Sequence, residues 1–329
     1  MCFVSVRLRN EEKPESKREV KMKKTLILCV VLFLLLGGCN RSAGTRRHQV
    51  VIVTKALDSE FWQTLKNGAA EAARQHPDID LAVLAPEREI NIDQQVSILE
   101  DQILKKVSAL AVVPGGIAEV TPVLEKAKAA GIPVLIVDND TPWTGKLSYI
   151  GTDNRAGGKL AGDYVVKTLG GRGKVAIIRG ILGATSHEDR VAGFKEAIAQ
   201  APDIELVTIQ PANSERALAL TVMENILTSN PSLNAVFVTS DQMALGAIEG
   251  VAAQHMTGKL LVVGFDAGKE AVRAVKSGVI SAVIAQYPAN MGKQAVEAAV
   301  KAIKGEPVAK VIDTGTALVT KENADQFLQ

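Results

Sequence analysis

A chain of 329 residues with 47% hydrophobic content holds material for more than one hydrophobic core, which excludes a disordered chain. Its formal net charge is +2; residues 1–39, with eight Lys or Arg and four Asp or Glu, supply +4, so the rest carries −2 and has no basic run to bind nucleic acid. Cys2, Cys29 and Cys39 are the three cysteines and the four histidines form no i, i+3 or i, i+4 pair, so beyond residue 39 a disulfide framework and a cysteine metal site are excluded and zinc is disfavoured.

Met22–Cys39, MKKTLILCVVLFLLLGGC, sets two lysines before an apolar run and closes on small residues and a cysteine. That is a secretory signal, too short to read as a transmembrane span. LGGC resembles the lipobox of bacterial lipoproteins, and the resemblance implies cleavage before Cys39 and lipidation of its thiol; an uncleaved signal anchor is the plainer alternative. The polar NEEKPESKREVK upstream is out of place before a signal, which points to Met22 as the true start. Residues 40–48 then form a polar tether.

From Gln49 strands and helices alternate. QVVIVT is a strand and Ser59 to Gln75 a helix with Phe61, Leu65, Ala69 and Ala72 on one face. A strand at Asp80 to Ala85, a helix from Ile92 to Leu104, the strand ALAVV, a helix from Val120 to Ala130 and the strand IPVLIVD follow. An unbroken apolar run ending on an acid reads as a parallel strand buried on both faces, its last residue at the carboxyl edge where open α/β sheets bind ligands. YIGTDNRAGGKLAGDY then interrupts the rhythm and marks entry to a second lobe. There the glycines of GGRGKV read as a turn, and the strands KVAIIRG, IELVTIQ, NAVFVT and LLVVGF alternate with helices from about Glu188, Glu215 and Gln242. A helix through Val275, a strand from Val279 to Gln286, a long helix to Ile303 and an extended tail from Val308 to Val319 complete the chain.

The plan is written twice. SALAVVPGG, a helix and GIPVLIVD, ending on Asp138, are echoed by LNAVFVTSD, a helix and KLLVVGFD, ending on Asp266. The predicted fold is α/β, two similar doubly wound parallel-sheet lobes with Asp138 and Asp266 facing one cleft.

FWxxLKxGA, IPVxxxD, IGxDNxxGGxxAGDY, the R-x-x-GF of Arg190 to Phe194, SDxMALGA, VVGFD and AQxPxxMG, taken together, resemble the periplasmic sugar-binding proteins of the ribose-binding type, the type I substrate-binding proteins of ABC importers. The resemblance runs from about Val50 to Val319. It implies a three-strand hinge, with residues 49–152 and 288–314 in lobe 1 and residues 153–287 and 315–329 in lobe 2. It also implies sugar contact by Phe61, Trp62, Asp138, Arg190, Asp266 and Gln286. Carboxylates and amides suit a sugar's hydroxyl edge, and aromatic rings suit its C–H face. The chain departs from the ribose pattern at Lys55, Ser59, Asn139, Ser214 and Ser240, each a candidate contact, so ribose itself does not follow as the ligand.

Taken residue by residue, the alternatives are plain. Asp138 and Asp266 could cap helices, and Arg190 could be solvated. Phe61 and Trp62 point about 100° apart on a helix, so one is expected to face the cleft. Lys55 is expected to snorkel to water or to pair with Asp138 or an acidic ligand. His187 is expected at the surface. The expected function is a monomeric, lipid-anchored binding protein of the cell envelope, without cofactor or metal, that passes a monosaccharide or related polyol to an ABC permease. A sensing receptor with the same site is the alternative. An enzyme is disfavoured, since no nucleotide fingerprint, G-x-S-x-G elbow or histidine beside a nucleophile is present.

Overall fold

The computed structural model describes residues 47–328; the signal-type segment, Met22, Cys39 and nearly all of the tether lie outside them. In chain order the first strands and helices are His48–Val53 (β1), Glu60–Ala73 (α1), Ile79–Leu84 (β2), Ile92–Leu104 (α2), Ala109–Val112 (β3), Ile117–Ala129 (α3), Val134–Val137 (β4) and Ser148–Gly151 (β5). There follow Asn154–Leu169 (α4), Arg172–Arg179 (β6), Thr185–Ile198 (α5), Asp203–Pro211 (β7), Arg216–Ser229 (α6), Ala235–Val238 (β8), Asp241–Ala253 (α7) and Leu261–Asp266 (β9). Lys269–Ser277 (α8), Ala282–Ala285 (β10), Pro288–Ile303 (α9), Val311–Asp313 (β11) and Ala317–Val319 (β12) complete the set.

Val50 to Val53 are wholly buried, as are all four residues of β3 and of β8. A strand with no exposed face has to lie inside a sheet covered above and below. The strands form two such sheets, ordered β2-β1-β3-β4-β5-β11 and β7-β6-β8-β9-β10-β12. Alternate residues of β1 divide between two hydrophobic clusters, Val50 and Ile52 in one and Val51 and Val53 in the other, and β6 divides its residues the same way. The repeated sequence plan falls on equivalent places, since β3-α3-β4 and β8-α7-β9 occupy the same positions in their sheets. The copies differ at the sixth strand: β11 runs parallel to β5, β12 antiparallel to β10.

The chain passes between the sheets three times, after β5, after β10 and between β11 and β12. The crossings are laced together. Thr314 N donates to Gly151 O (2.9 Å), Thr152 Oγ1 to Gly315 O (3.2 Å) and Thr316 Oγ1 to Ala285 O (2.8 Å). Each helix that enters a lobe after one of the first two crossings rests on the helix that follows the first strand of that lobe's own strand-helix series, through reciprocal glycines. A Cβ at Gly292 of α9 would sit 2.0 Å from Leu65 O of α1, and one at Gly68 of α1 2.1 Å from Ala289 O of α9. In the other lobe Gly158 of α4 meets Arg190 O of α5 at 2.0 Å, and Gly193 of α5 meets Arg155 O of α4 at 1.9 Å.

Three details depart from the sequence-based expectations. The GGRGKV turn is shorter than expected, because β6 starts at Arg172 once Gly170, in the left-handed region (φ 65°), has ended α4. α3 begins at Ile117 and α5 at Thr185, each three residues before the expected start, because apolar spacing marks a helix's buried face and not its first turn. The tail divides between the two sheets in place of one extended run.

Candidate functional site

A cavity of about 340 Å³ lies where the strand ends of the two sheets meet. From the first sheet it takes Lys55, Asp58 and Ser59 after β1, Phe61 and Trp62 of α1, Arg88 and Glu89 after β2, and Asp138 after β4. From the second it takes His187 and Arg190 of α5, Asn213 and Ser214 after β7, Ser240 and Asp241 after β8, and Asp266 at the end of β9. Gln286 lies at the second crossing. Parallel strands aim their carboxyl ends one way, so two sheets set edge to edge bring these groups together.

Neither aspartate of the repeated plan is the N-cap residue of the helix that follows it, and both leave their strands with positive φ, 58° at Asp138 and 83° at Asp266. Such a backbone costs about 1–3 kcal/mol at a residue other than glycine and persists where the surroundings impose it. At Asp138 those surroundings are its N–H, donated to Ile150 O at 2.9 Å, and its carbonyl, which lies 3.0 Å from Tyr149 Oη. Burial pushes both carboxyls up from the ordinary range, against the pull of Lys55 at Asp138 and of Arg190 at Asp266.

Lys55 is buried and does not snorkel. Its Nζ lies 3.9 Å from Asp138 Oδ2, 3.8 Å from Glu89 Oε2 and 5.4 Å from the centre of the Trp62 ring. Phe61 and Trp62 both line the cavity, where one was expected, because they meet edge to face (centroids 4.8 Å apart, planes at 86°) and fill one wall together. Trp62 Nε1 donates to Glu89 Oε1 at 2.9 Å.

Arg190 is buried against the Phe265 ring, its guanidinium carbon 3.9 Å from the ring centre. Its Nε donates to Asn154 Oδ1 (2.8 Å) and its Nη1 to Thr239 O (2.8 Å), with Asp266 Oδ1 at 3.3 Å. Gln286 Nε2 donates to the same Asp266 oxygen at 2.6 Å. Ser59 lines the cavity as the residue before α1, and Ser240 lines it while its Oγ caps α7, accepting from Met243 N at 3.5 Å.

Two expectations are corrected. Asn139 does not line the cavity. Its Nδ2 donates to Pro114 O (2.6 Å) and its Oδ1 accepts from Ser186 N (2.7 Å), so the side chain bridges the lobes. His187 is buried, not at the surface. Its Nδ1 lies 2.9 Å from Thr239 Oγ1 and its Nε2 3.4 Å from Ser214 Oγ, and burial together with Arg190 and Lys55 keeps the ring neutral. Glu89 and Asp241 are further lining residues that sequence reasoning did not single out. Asp241 is buried, and burial and the neighbouring Asp266 push its carboxyl up to about 8.

Among the described residues, three buried oxygens at the cavity accept no hydrogen bond from the protein: Glu89 Oε2, Asp138 Oδ1 and Gln286 Oε1. Two further contacts join the lobes near it, Lys269 N donating to Glu60 Oε2 at 2.8 Å and Arg88 pairing with Glu215. No group of three or more His, Cys, Asp or Glu among the described residues is placed to hold a metal ion.

Two α/β lobes, a laced hinge and a polar cavity closed from both sides define a two-lobed cleft-binding protein. The chain belongs to the periplasmic binding protein family, whose model, described as periplasmic binding protein domain, matches residues 50–307. It is 33% identical to the ribose import binding protein of Haemophilus influenzae over 91% of this chain and 100% of that protein. It is also 33% identical to the D-allose-binding periplasmic protein of Escherichia coli, over 83% of this chain and 90% of that one. A crystal structure of an ABC transporter solute-binding protein from Actinobacillus succinogenes with bound D-allose superposes with a TM-score of 0.79 at 36% identity, covering 85% of this chain and 100% of that one. The chain is thus a binding protein and not an enzyme.

Proposed function

We propose that this chain is the periplasmic sugar-binding component of an ABC importer, holding a monosaccharide or related polyol between its lobes and presenting the closed form to a membrane permease. The observation that carries the reading is the pairing of an aromatic wall, Phe61 and Trp62, with the three buried oxygens of Glu89, Asp138 and Gln286 that lack a donor. A buried acceptor left unpaired costs roughly 1–3 kcal/mol, so a ligand with several hydroxyl donors and a C–H face gains most from this site. Of the residues expected from the sequence, ten are proposed as ligand contacts or their immediate supports: Lys55, Ser59, Phe61, Trp62, Asp138, Arg190, Ser214, Ser240, Asp266 and Gln286. Asn139 is proposed as a closure residue. Groups from both lobes meet the ligand together only when the hinge is shut, so binding shifts the population toward the closed form. A monomer tethered to a membrane surface by lipid on Cys39 completes the proposal, and two or more acyl chains are enough for stable anchoring.

A melting-temperature screen over pentoses, hexoses, sugar acids and polyols tests it. A true ligand at about a hundred times its Kd stabilises the folded chain by about 2.7 kcal/mol, which raises the midpoint by about 5 °C. A chain that ignores every sugar and responds to amino acids or peptides overturns the reading.

A further inference from the structure

Every cation that lines the cavity already has a carboxylate. Lys55 lies between Glu89 and Asp138 at 3.8 and 3.9 Å, and Arg190 faces Asp266 at 3.3 Å. At the mouth, Arg88 is paired with Glu215, and Arg216 with Glu249 (2.6 Å) and Glu270 (3.0 Å). Two more lining carboxyls, Asp58 and Asp241, enter no ion pair among the described residues, and the one lining imidazole, His187, is held neutral by its surroundings. A ligand carboxylate or phosphate therefore meets no uncommitted positive charge anywhere along the wall.

The Lys55 end of the cavity shows what the site accepts instead. Glu89 uses Oε1 for Trp62 and leaves Oε2 with no donor; Asp138 leaves Oδ1 with none. Lys55 is too far from either for a hydrogen bond and hydrogen-bonds no other atom among the described residues. A hydroxyl satisfies this arrangement at both ends, donating to a carboxylate while accepting from the ammonium. An ionised carboxylate or phosphate group set at this end in place of a hydroxyl donates to neither carboxylate, leaves both oxygens unpaired and adds negative charge beside two carboxylates in a wall of low dielectric.

We infer that the ligand is an uncharged polyol and that Glu89 is the specificity-determining residue that makes the site refuse the acid and phosphate derivatives of the same sugar. The inference rests on the saccharide reading above and narrows it: the buried Lys55, by its sequence position a candidate receptor for an acidic ligand, serves a hydroxyl and a carboxylate pair within the protein.

Titration calorimetry on the full-length chain tests it with matched sets: D-ribose, D-ribonate and ribose 5-phosphate; D-galactose, D-galacturonate and galactose 6-phosphate; D-allose with its aldonic acid. A neutral member binds, and its charged counterparts bind at least about 100-fold more weakly, the scale set by two buried acceptors left without donors. Glu89→Gln, which keeps an oxygen for Trp62 Nε1 and removes one negative charge, narrows that gap about tenfold. Equal or tighter binding of an acid or phosphate by the unmodified chain overturns the inference while leaving the saccharide reading intact; preference for a carboxylic acid that is not a sugar overturns both. An unchanged gap in a folded Glu89→Gln chain removes Glu89 from the role.

Discussion

The main-chain amide of Ser186 donates to Oδ1 of Asn139 at 2.7 Å, tying the loop after β4 in one sheet to the first turn of α5 beside the other. Asn139 is wholly buried and its amide nitrogen is held by Pro114 O, so its aim across the gap is fixed. Asn139→Ala removes a closed-form bond while removing no ligand contact. A net loss of about 1 kcal/mol weakens the Kd about fivefold. Calorimetry reads that loss, and small-angle scattering at subsaturating ligand reads a smaller closed fraction than in the unmodified chain at the same concentration.

Asp266 is the partner that Arg190 and Gln286 share. Asp266→Ala leaves a buried guanidinium short of its counter-charge, a change that costs about 3–5 kcal/mol when one partner of a buried pair is removed. The expected outcome is a lower melting temperature and loss of most of the ligand-induced rise in the thermal screen. Full retention of that rise would place the sugar elsewhere.

The raised carboxyl of Asp241 has a definite consequence for pH. The folded chain holds this proton up to about pH 8, whereas the unfolded chain releases it near 3.8. Between those values the native state binds more protons, so the contribution is fully present below the lower value and is lost as pH rises through the upper one. His187 works in the opposite direction below about 6.5, because its buried ring resists protonation that the unfolded chain accepts. Asp241→Asn removes only the first effect. Its melting temperature relative to the unmodified chain is expected to rise steadily from pH 5 to pH 8, and a flat difference over that window would show that Asp241 is ionised throughout.

The glycines under the helix pairs separate stability from binding. A methyl at Gly292 of α9 presses on Leu65 O, away from the charged wall, while one at Gly158 of α4 presses on the carbonyl of Arg190 itself. Overpacking of this kind costs about 1–3 kcal/mol. Gly292→Ala is expected to lower the melting temperature with little change in Kd, and Gly158→Ala to lower it and weaken the ligand as well. Paired melting and calorimetry distinguish the two.

The parts of the fold legible in the sequence were those written locally. Strands such as β4 and β9 are unbroken apolar runs ending on an acid, and the duplicated strand-helix-strand plan announced two matching sheets with opposed aspartates. The pairing of Lys55 with Asp138 was one of the alternatives the sequence left open, beside snorkelling to water and pairing with an acidic ligand. The illegible parts depend on distant partners. His187 reads as a polar residue in a helix's first turn until Thr239 and Ser214, from other elements, enclose it. Glu89 sits in PEREIN, which looks like an ordinary solvated turn, and only the indole of Trp62 draws it inward. Asn139 was a candidate contact because the chain departs from the ribose-binding pattern at that position; the amide it serves lies 47 residues further on.

The three passages of the chain between its sheets mean that neither lobe is a continuous stretch of polypeptide. α1 lacks its packing partner until α9 has been made, and β5 is an edge strand until Val311–Asp313 joins it. A nascent chain emerging from the ribosome therefore cannot finish its leading half early, whatever the local propensities of its strands.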